Sequence, residues 1–207
     1  MAINNNCYII RVYSFLLYFT REDLPMRKKI VIIGGVAGGA SAAARLRRLD
    51  ENLEIIILEK GDYISFANCG LPYYIGNVIP NRDSLFLQTP TMLKNHLNIQ
   101  ARVAHEVIEI DKVNKTVTVK DLKTQTTYLE TYDKLILSPG ASPLLPKISG
   151  LSEAKNLFTL RNVPDTDKIK TFININQPKT ATIIGGGFIG LEMAENLKHL
   201  GLAVTII

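Results

Sequence analysis

Most of the chemistry legible in this chain centres on one cysteine. Cys69 lies in Ser65-Phe66-Ala67-Asn68-Cys69-Gly70-Leu71-Pro72-Tyr73-Tyr74, thirty residues after a glycine cluster that ends at Gly39. A dithiol reductase needs two cysteines close in sequence, C-x-x-C or a wider spacing, so that one attacks the substrate and the other resolves the mixed disulfide. The second cysteine of this chain is Cys7, remote in an N-terminal extension. Cys69 must therefore complete its cycle with a small external thiol, or as a sulfenic acid reduced by a cofactor. Pro72 suits the first turn of a helix beginning just after the thiol, whose N–H groups and dipole would favour a thiolate. Asn68 stands where it could orient an incoming disulfide. His96, His105 and His199 stand beside no candidate acid, nucleophile or metal-ligand cluster, so they receive no role and no metal site is expected.

The elements that must position Cys69 are announced by glycines. Residues 30–33 are a continuous apolar run, followed by Gly34-Gly35-Val36-Ala37-Gly38-Gly39 and a helical pattern with Ala42, Leu46 and Leu49 on one face. That order is strand, tight turn, helix. A second strand over residues 54–58 ends in Glu59, twenty residues past Gly39, where a carboxylate can accept hydrogen bonds from a ribose diol. The glycines let backbone approach a pyrophosphate, and the first helical turn presents unpaired N–H groups to its charge. One position departs from G-x-G-x-x-G, because Val36 stands where the second of its three glycines is expected. A second copy strengthens the reading. Residues 181–184 form a strand, Gly185-Gly186-Gly187-Phe188-Ile189-Gly190 has all three glycines, and Ile189, Met193, Leu197 and Leu200 share a helical face. Two fingerprints imply two dinucleotides.

Between the fingerprints, residues 99–103, 107–110, 116–120 and 126–129 read as short strands with polar turns, an antiparallel meander inserted in the first unit. Residues 132–137 give another buried strand. Ser138-Pro139-Gly140-Ala141-Ser142-Pro143 then breaks the chain on its way to a second domain. The fold class is therefore α/β: a Rossmann-like three-layer unit with an inserted antiparallel β-meander, followed by the start of a second Rossmann-like unit. The expected division is an extension over 1–25, a first nucleotide-binding domain over 26–155 and the beginning of a second over 156–207.

Composition agrees with a globular protein: 207 residues, 46% hydrophobic and 21% charged. Two irregularly spaced cysteines fit a reducing cytoplasm better than a disulfide-stapled secreted scaffold. The formal net charge is +5, and Arg27, Lys28, Lys29, Arg45, Arg47 and Arg48 stand against only Asp50 and Glu51 between residues 26 and 52. That segment contains no aromatic residue, which disfavours nucleic acid and favours small phosphate-bearing partners. Residues 7–19 are apolar but short and interrupted by Arg11, so no membrane span is expected. The same stretch lacks a basic n-region and a small-residue cleavage site. Met26 directly precedes the first basic-then-apolar strand and reads as the natural start, with an interfacial anchor as the competing reading of the extension.

The order of glycine turn, Glu59, lone cysteine, meander, Tyr132-Asp133-Lys134-Leu135-Ile136-Leu137-Ser138-Pro139-Gly140-Ala141 and second glycine turn resembles the pyridine nucleotide–disulfide oxidoreductases. The resemblance runs over 26–207. Within that family it is nearest to the coenzyme A disulfide reductases, since Asn68 precedes the cysteine and Ala37 stands in the first turn. The related NADH oxidases and peroxidases usually carry serine and histidine at those two places. The resemblance implies FAD at the first fingerprint, with Gly34, Gly35, Val36, Ala37, Gly38, Gly39, Glu59 and Lys60 around it and Ser138, Pro139, Gly140 and Ala141 near the flavin. It implies NADH or NADPH at Gly185, Gly187 and Gly190, and tolerates a non-glycine at Val36. Coenzyme A contacts map onto Ser41, Arg48, Ser65 and Asn68. Independently, Ser41, Arg45 and Arg48 are spaced i, i+4, i+7 and share a helical face, suited to phosphates or simply to solvent.

Under this resemblance, Cys69 cycles between thiolate and a mixed disulfide with coenzyme A or another small thiol. Two alternatives stand beside it: a sister oxidoreductase that reduces oxygen or peroxide through a Cys69 sulfenic acid, and a catalytically silent truncated product. The sequence ends in the second strand of the nicotinamide unit, before the residue that would separate NADH from NADPH. The family places a further flavin-binding segment and a homodimerisation domain beyond that point. The chain accordingly reads as the N-terminal portion of such an enzyme, with an exposed sheet edge.

Overall fold

The computed structural model describes residues 7–12, 15–20 and 27–207. In the extension, β1 (Cys7–Val12) and β2 (Phe15–Thr20) pair antiparallel. The remainder of the extension lies outside the described residues, as does the reading of Met26 as the start.

The first unit is built on β3 (Lys29–Ile33), which leads into α1 (Ala37–Leu49) and returns as β4 (Glu54–Glu59). A short helix α2 (Leu71–Ile75) and α3 (Pro90–Leu97) precede β5 (Gln100–Val103). Then come β6 (His105–Asp111), β7 (Thr116–Asp121), β8 (Thr127–Thr131) and β9 (Lys134–Leu137). Strands β5, β4, β3 and β9 form one parallel sheet in that order, and β6, β7 and β8 form an antiparallel sheet of their own.

Successive strand residues point to opposite faces, and both faces of this sheet are covered, which is why residues 30–33 of β3 and 55–58 of β4 are unbroken apolar runs. Ile30, Ile32, Ile55 and Ile57 pack with Ala43 of α1 and Leu93 of α3 on one side. Val31, Ile56 and Leu58 pack with Val117 and Val119 of the meander on the other. Each such aliphatic side chain contributes about 1.5–3 kcal/mol by leaving water. The meander is further tied to the sheet by Glu130, whose carboxylate accepts from Lys29 Nζ and, at 2.6 Å, from Arg102 Nη1. Arg102 also donates to the Tyr128 hydroxyl at 2.9 Å.

Two expectations differ from the structure in the first unit. The segment 99–103 belongs to the parallel sheet, paired with β4, and not to the meander. Helix α3, capped by the Thr89 hydroxyl and ended by Asn98 at φ +47, carries the chain back across the sheet, so the next strand can only run parallel. On α1 the inward residues are Gly39, Ala43 and Leu46, while Leu49 is 64% exposed, because a 3.6-residue period anchored at Gly39 turns Leu49 away from the sheet.

The second unit begins with α4 (Val163–Asn176), opened by Asn162 accepting from the Asp165 N–H at 2.9 Å. Strand β10 (Thr180–Ile183), α5 (Phe188–His199) and β11 (Ala203–Ile206) follow, with β10 and β11 parallel. Met193 and Leu197 of α5 pack on Ile169 of α4 and on Ala181, Ile183 and Val204 of the strands. Ile189, expected on the inward face, is exposed. A cavity of about 810 Å³ opens between the segment around Leu144 and Phe158, α4 and β10. No helix among the described residues is long and apolar enough to cross a membrane.

Candidate active site

The first glycine turn is a close-packed joint. Gly34 sits at φ +92, and a Cβ there would lie 2.0 Å from the Ser138 carbonyl oxygen. A Cβ on Gly39 would lie 1.8 Å from the Gly34 carbonyl oxygen, so α1 can start this close to the strand only with glycine. Glu59 closes the turn: its Oε2 accepts from the Gly35 N–H and its Oε1 from the Gly61 N–H, both at 2.7 Å. Each carboxylate oxygen keeps a further lone pair for a diol. Lys60, beside it, pairs with Glu106 at 2.7 Å. Gly38 is exposed on the outer side of the turn, with Ser138 Oγ 3.3 Å from where its Cβ would be, so a ligand can approach the backbone there.

Val36 has a packing role. Its side chain lies against the cluster of Phe66, Leu71, Leu85 and Val163, the apolar residues that hold the cysteine segment. The departure from the glycine pattern is thus a contact between the dinucleotide turn and the thiol segment. A second contact is made by backbone, where the Ser65 N–H donates to the Gly35 carbonyl at 2.9 Å. Ser65 itself adopts φ +46, an uncommon conformation for a residue with a side chain, at the point where the chain swings from the turn toward Cys69.

Asn68, Cys69 and Gly70 form a 3-10 turn that runs into α2, with Pro72 in the first helical turn as its ring geometry favours. Cys69 is exposed and its thiol is free. Its neighbour Asn68 is not fully satisfied: Oδ1 is buried and no hydrogen-bond donor reaches it. A buried amide oxygen left unpaired costs about 1–3 kcal/mol, so this acceptor beside the thiol fits a site completed by a bound donor.

Ser41, Arg45 and Arg48 are all exposed on α1. The arginine between them behaves differently. Arg47 donates to the carbonyls of Leu97 at 2.8 Å, Leu53 at 2.7 Å and Asn98 at 3.0 Å, and also to Glu51, pinning the end of α1 to the end of α3. It is a structural cation that charge counting alone groups with Arg45 and Arg48.

Residues 138–141 lie at the mouth of the first turn, linked by the Ser138 N–H to the Ile33 carbonyl at 2.8 Å. Arg161, which the sequence reading passed over, donates from Nε to the Ala141 carbonyl at 2.8 Å. At the second fingerprint, Gly185 takes φ +104 and a Cβ on Gly190 would lie 2.2 Å from the Gly185 carbonyl oxygen, repeating the joint of the first turn. No atom lies within 4 Å of a Cβ placed on Gly185, Gly186 or Gly187. Cys69 and the first turn are therefore brought together through the cluster around Phe66. The second turn lies on the other unit, whose α4 and α5 pack against α2.

Comparison with known proteins accords with this arrangement. The family described as pyridine nucleotide-disulphide oxidoreductase matches residues 28–207. A coenzyme A disulfide reductase of Staphylococcus epidermidis is 48% identical over 177 residues, 86% of this chain and 40% of that protein. The crystal structure of reduced Bacillus anthracis CoADR-RHD superposes with a TM-score of 0.85 at 59% identity, over 87% of this chain and 32% of that one. An NAD-dependent persulfide reductase from A. fulgidus does so with a TM-score of 0.80 at 37% identity, over 86% and 33%. The chain thus spans about 40% of the length of the curated relatives it matches. With two glycine turns, the flanking sheets and the family match over nearly all of its described residues, the chain belongs to the pyridine nucleotide-disulphide oxidoreductases.

Proposed function

We propose that this chain carries the flavin and thiol half of an NAD(P)H-dependent reductase of coenzyme A disulfide, or of a closely related small disulfide, working through Cys69 alone. The observation that carries this reading is Cys69 itself: an exposed free thiol, beside an unpaired buried acceptor, on a segment packed against a dinucleotide turn. Relatives that bear the name coenzyme A disulfide reductase support the choice of substrate.

FAD would be held by the turn from Gly34 to Gly39, by Glu59 and by Ser138 to Ala141, and NADH or NADPH by Gly185, Gly187 and Gly190. Together these cofactors supply, when bound, the two electrons that reduce a disulfide. The chain's own residues do the rest. The Cys69 thiolate attacks one sulfur of the disulfide, an S–S bond forms on Sγ, and one coenzyme A thiolate leaves. Two electrons and a proton then release the second coenzyme A thiol and return Cys69 to thiolate. Asn68 would orient the disulfide, Ser41, Arg45 and Arg48 would meet the phosphates, and Ser65 would fix the approach of the segment. Each arginine can pair with a phosphate oxygen through charge-assisted hydrogen bonds. For the complete enzyme we propose a homodimer working in the cytoplasm.

The test begins with the visible absorption spectrum of the purified chain after incubation with FAD and removal of unbound flavin. A retained, perturbed flavin band supports the first site, and its absence removes it from this chain. Thiol release from coenzyme A disulfide with NADH or NADPH is then compared between the parent and Cys69→Ser. Loss of turnover by about 10³-fold or more is expected for removal of a nucleophile, and an undiminished rate would sink the proposal.

A further inference from the structure

The helix that follows Cys69 is gripped by the second unit as well as the first. Leu71, at its start, is buried with Phe66 and Leu85 of the first unit and with Val163 at the start of α4, whereas Ile75, at its end, is buried with Ile169, Met193, Leu197 and Leu202, all of the second unit. Beyond Ile75 the chain passes Gly76, where a Cβ would meet Asn196 Oδ1 at 2.2 Å. Asn196 is itself buried in α5 and donates from Nδ2 to the Glu192 carbonyl at 2.8 Å. From α4, Lys170 Nζ donates to the Tyr74 carbonyl and, at 2.6 Å, to Asn77 Oδ1, with the Tyr74 ring centroid 4.0 Å away. Three residues earlier on the same helix, Asp167 accepts from Arg82 Nε at 2.9 Å and from its Nη2 at 2.7 Å, and Arg82 lies over the rings of Tyr63 and Phe86.

We infer that Lys170 and Asn196 are positioning residues for Cys69: they lock the last turn of α2 to the second unit and so hold the thiol relative to the second dinucleotide turn. The inference rests on reading Cys69 as the reacting thiol. Helix α2 has five residues, little more than one turn, and one turn of helix has almost no stability of its own. Loosening its last carbonyls therefore loosens its first residues, which adjoin Cys69. Burial lowers the pKa of Lys170, so its ammonium sits where water solvates it poorly, and two oxygens and an aromatic face take the place of that water. A cation held this way at a helix C-terminus also complements the carbonyl dipoles there.

The test follows the reaction of Cys69 with 4,4′-dithiodipyridine in the full chain carrying Cys7→Ser. The thiolate attacks the disulfide, a Cys69–thiopyridine bond forms and one thiopyridone leaves, its absorbance giving the rate. Lys170→Met keeps the aliphatic stem and removes the donors. It is expected to raise the rate about threefold or more by letting α2 fray, with Lys170→Arg returning the parent rate. Asn77→Gly removes one acceptor from an exposed turn at φ +62, which glycine adopts freely, and is expected to raise the rate in the same direction. It carries the comparison if Lys170→Met does not fold. Equal rates in folded variants, or a rise that arginine does not reverse, would overturn the inference. A parent chain whose Cys69 does not react would overturn the reading of the thiol itself, which equal rates at a reactive Cys69 would not.

Discussion

The two glycine turns of this molecule have the same joint and different surroundings. In each, the last glycine of the fingerprint lets the helix start against the carbonyl of the first: Gly39 against Gly34, Gly190 against Gly185. Around the first turn a further side chain is resisted almost everywhere, by Ser138 at Gly34 and by Ile57 and Ile64 at Gly35. Around the second, Gly185, Gly186 and Gly187 face open space. The sheets differ likewise. Strands β3 and β4 are covered on both faces, while β10 pairs only with β11 among the described residues and Phe188, beside the turn, is 88% exposed. A fingerprint thus sets the local turn, and the layers stacked on the first one give its glycines a packing role as well.

Gly34→Ala is the severest way to break that contrast. Positive φ and a backbone oxygen 2.0 Å from the new Cβ predict a loss of about 3 kcal/mol or more, read as a fall in the urea midpoint. Glu130→Gln comes next, because it removes the carboxylate between Lys29 and Arg102 that ties the meander to the sheet of the first unit. About 2–3 kcal/mol is expected, just below the range for breaking a fully buried pair, since the two cations remain partly solvated.

Glu130 also sets a pH dependence. Burial alone would raise its pKa, but Lys29 and Arg102 hold it below the usual glutamate value of 4.5. With the folded-state value depressed, the native state binds fewer protons than the unfolded one. Its contribution is complete above about pH 5 and is lost as pH falls through the depressed value. Acid titration of the melting temperature should show a fall below pH 4.5 that Glu130→Gln flattens.

Arg47→Ala, which frees the ends of α1 and α3, should cost about 1–3 kcal/mol, and Arg48→Ala, on the exposed face, less than about 0.5 kcal/mol. Gly186→Ala closes the series. With no atom within 4 Å of its Cβ, it should shift stability by less than about 0.5 kcal/mol, measured by the same urea midpoint. A large loss there would erase the contrast between the turns.

The apolar runs of β3 and β4, both glycine turns and the meander strands were legible because each depends on a local period or a local backbone need. Helices α3 and α4 were not foreseen, although Thr89-Pro90 and Asn162-Val163-Pro164-Asp165 are local capping signals for them. Segment 99–103 was read as a strand, yet its partner was misassigned, because strand pairing depends on where the preceding helix delivers the chain. Arg47 and Arg48, adjacent in sequence and alike in type, took opposite roles. One turned inward toward carbonyls at the ends of other elements and the other toward solvent.

By itself the sequence determined what is local in this protein: two strand–turn–helix units, the carboxylate at Glu59 and the thiol of Cys69 followed directly by Gly70-Leu71-Pro72. Tertiary structure alone decided that Val36 belongs to the packing around that thiol and that Asn68 keeps a buried oxygen unpaired. It decided as well that helix α2 is held at its far end by Lys170 and Asn196. The physical reason is distance along the chain. Periodicity and turn chemistry act over a few residues, while these contacts join groups about thirty to more than a hundred residues apart, and only the packing of whole layers brings them together.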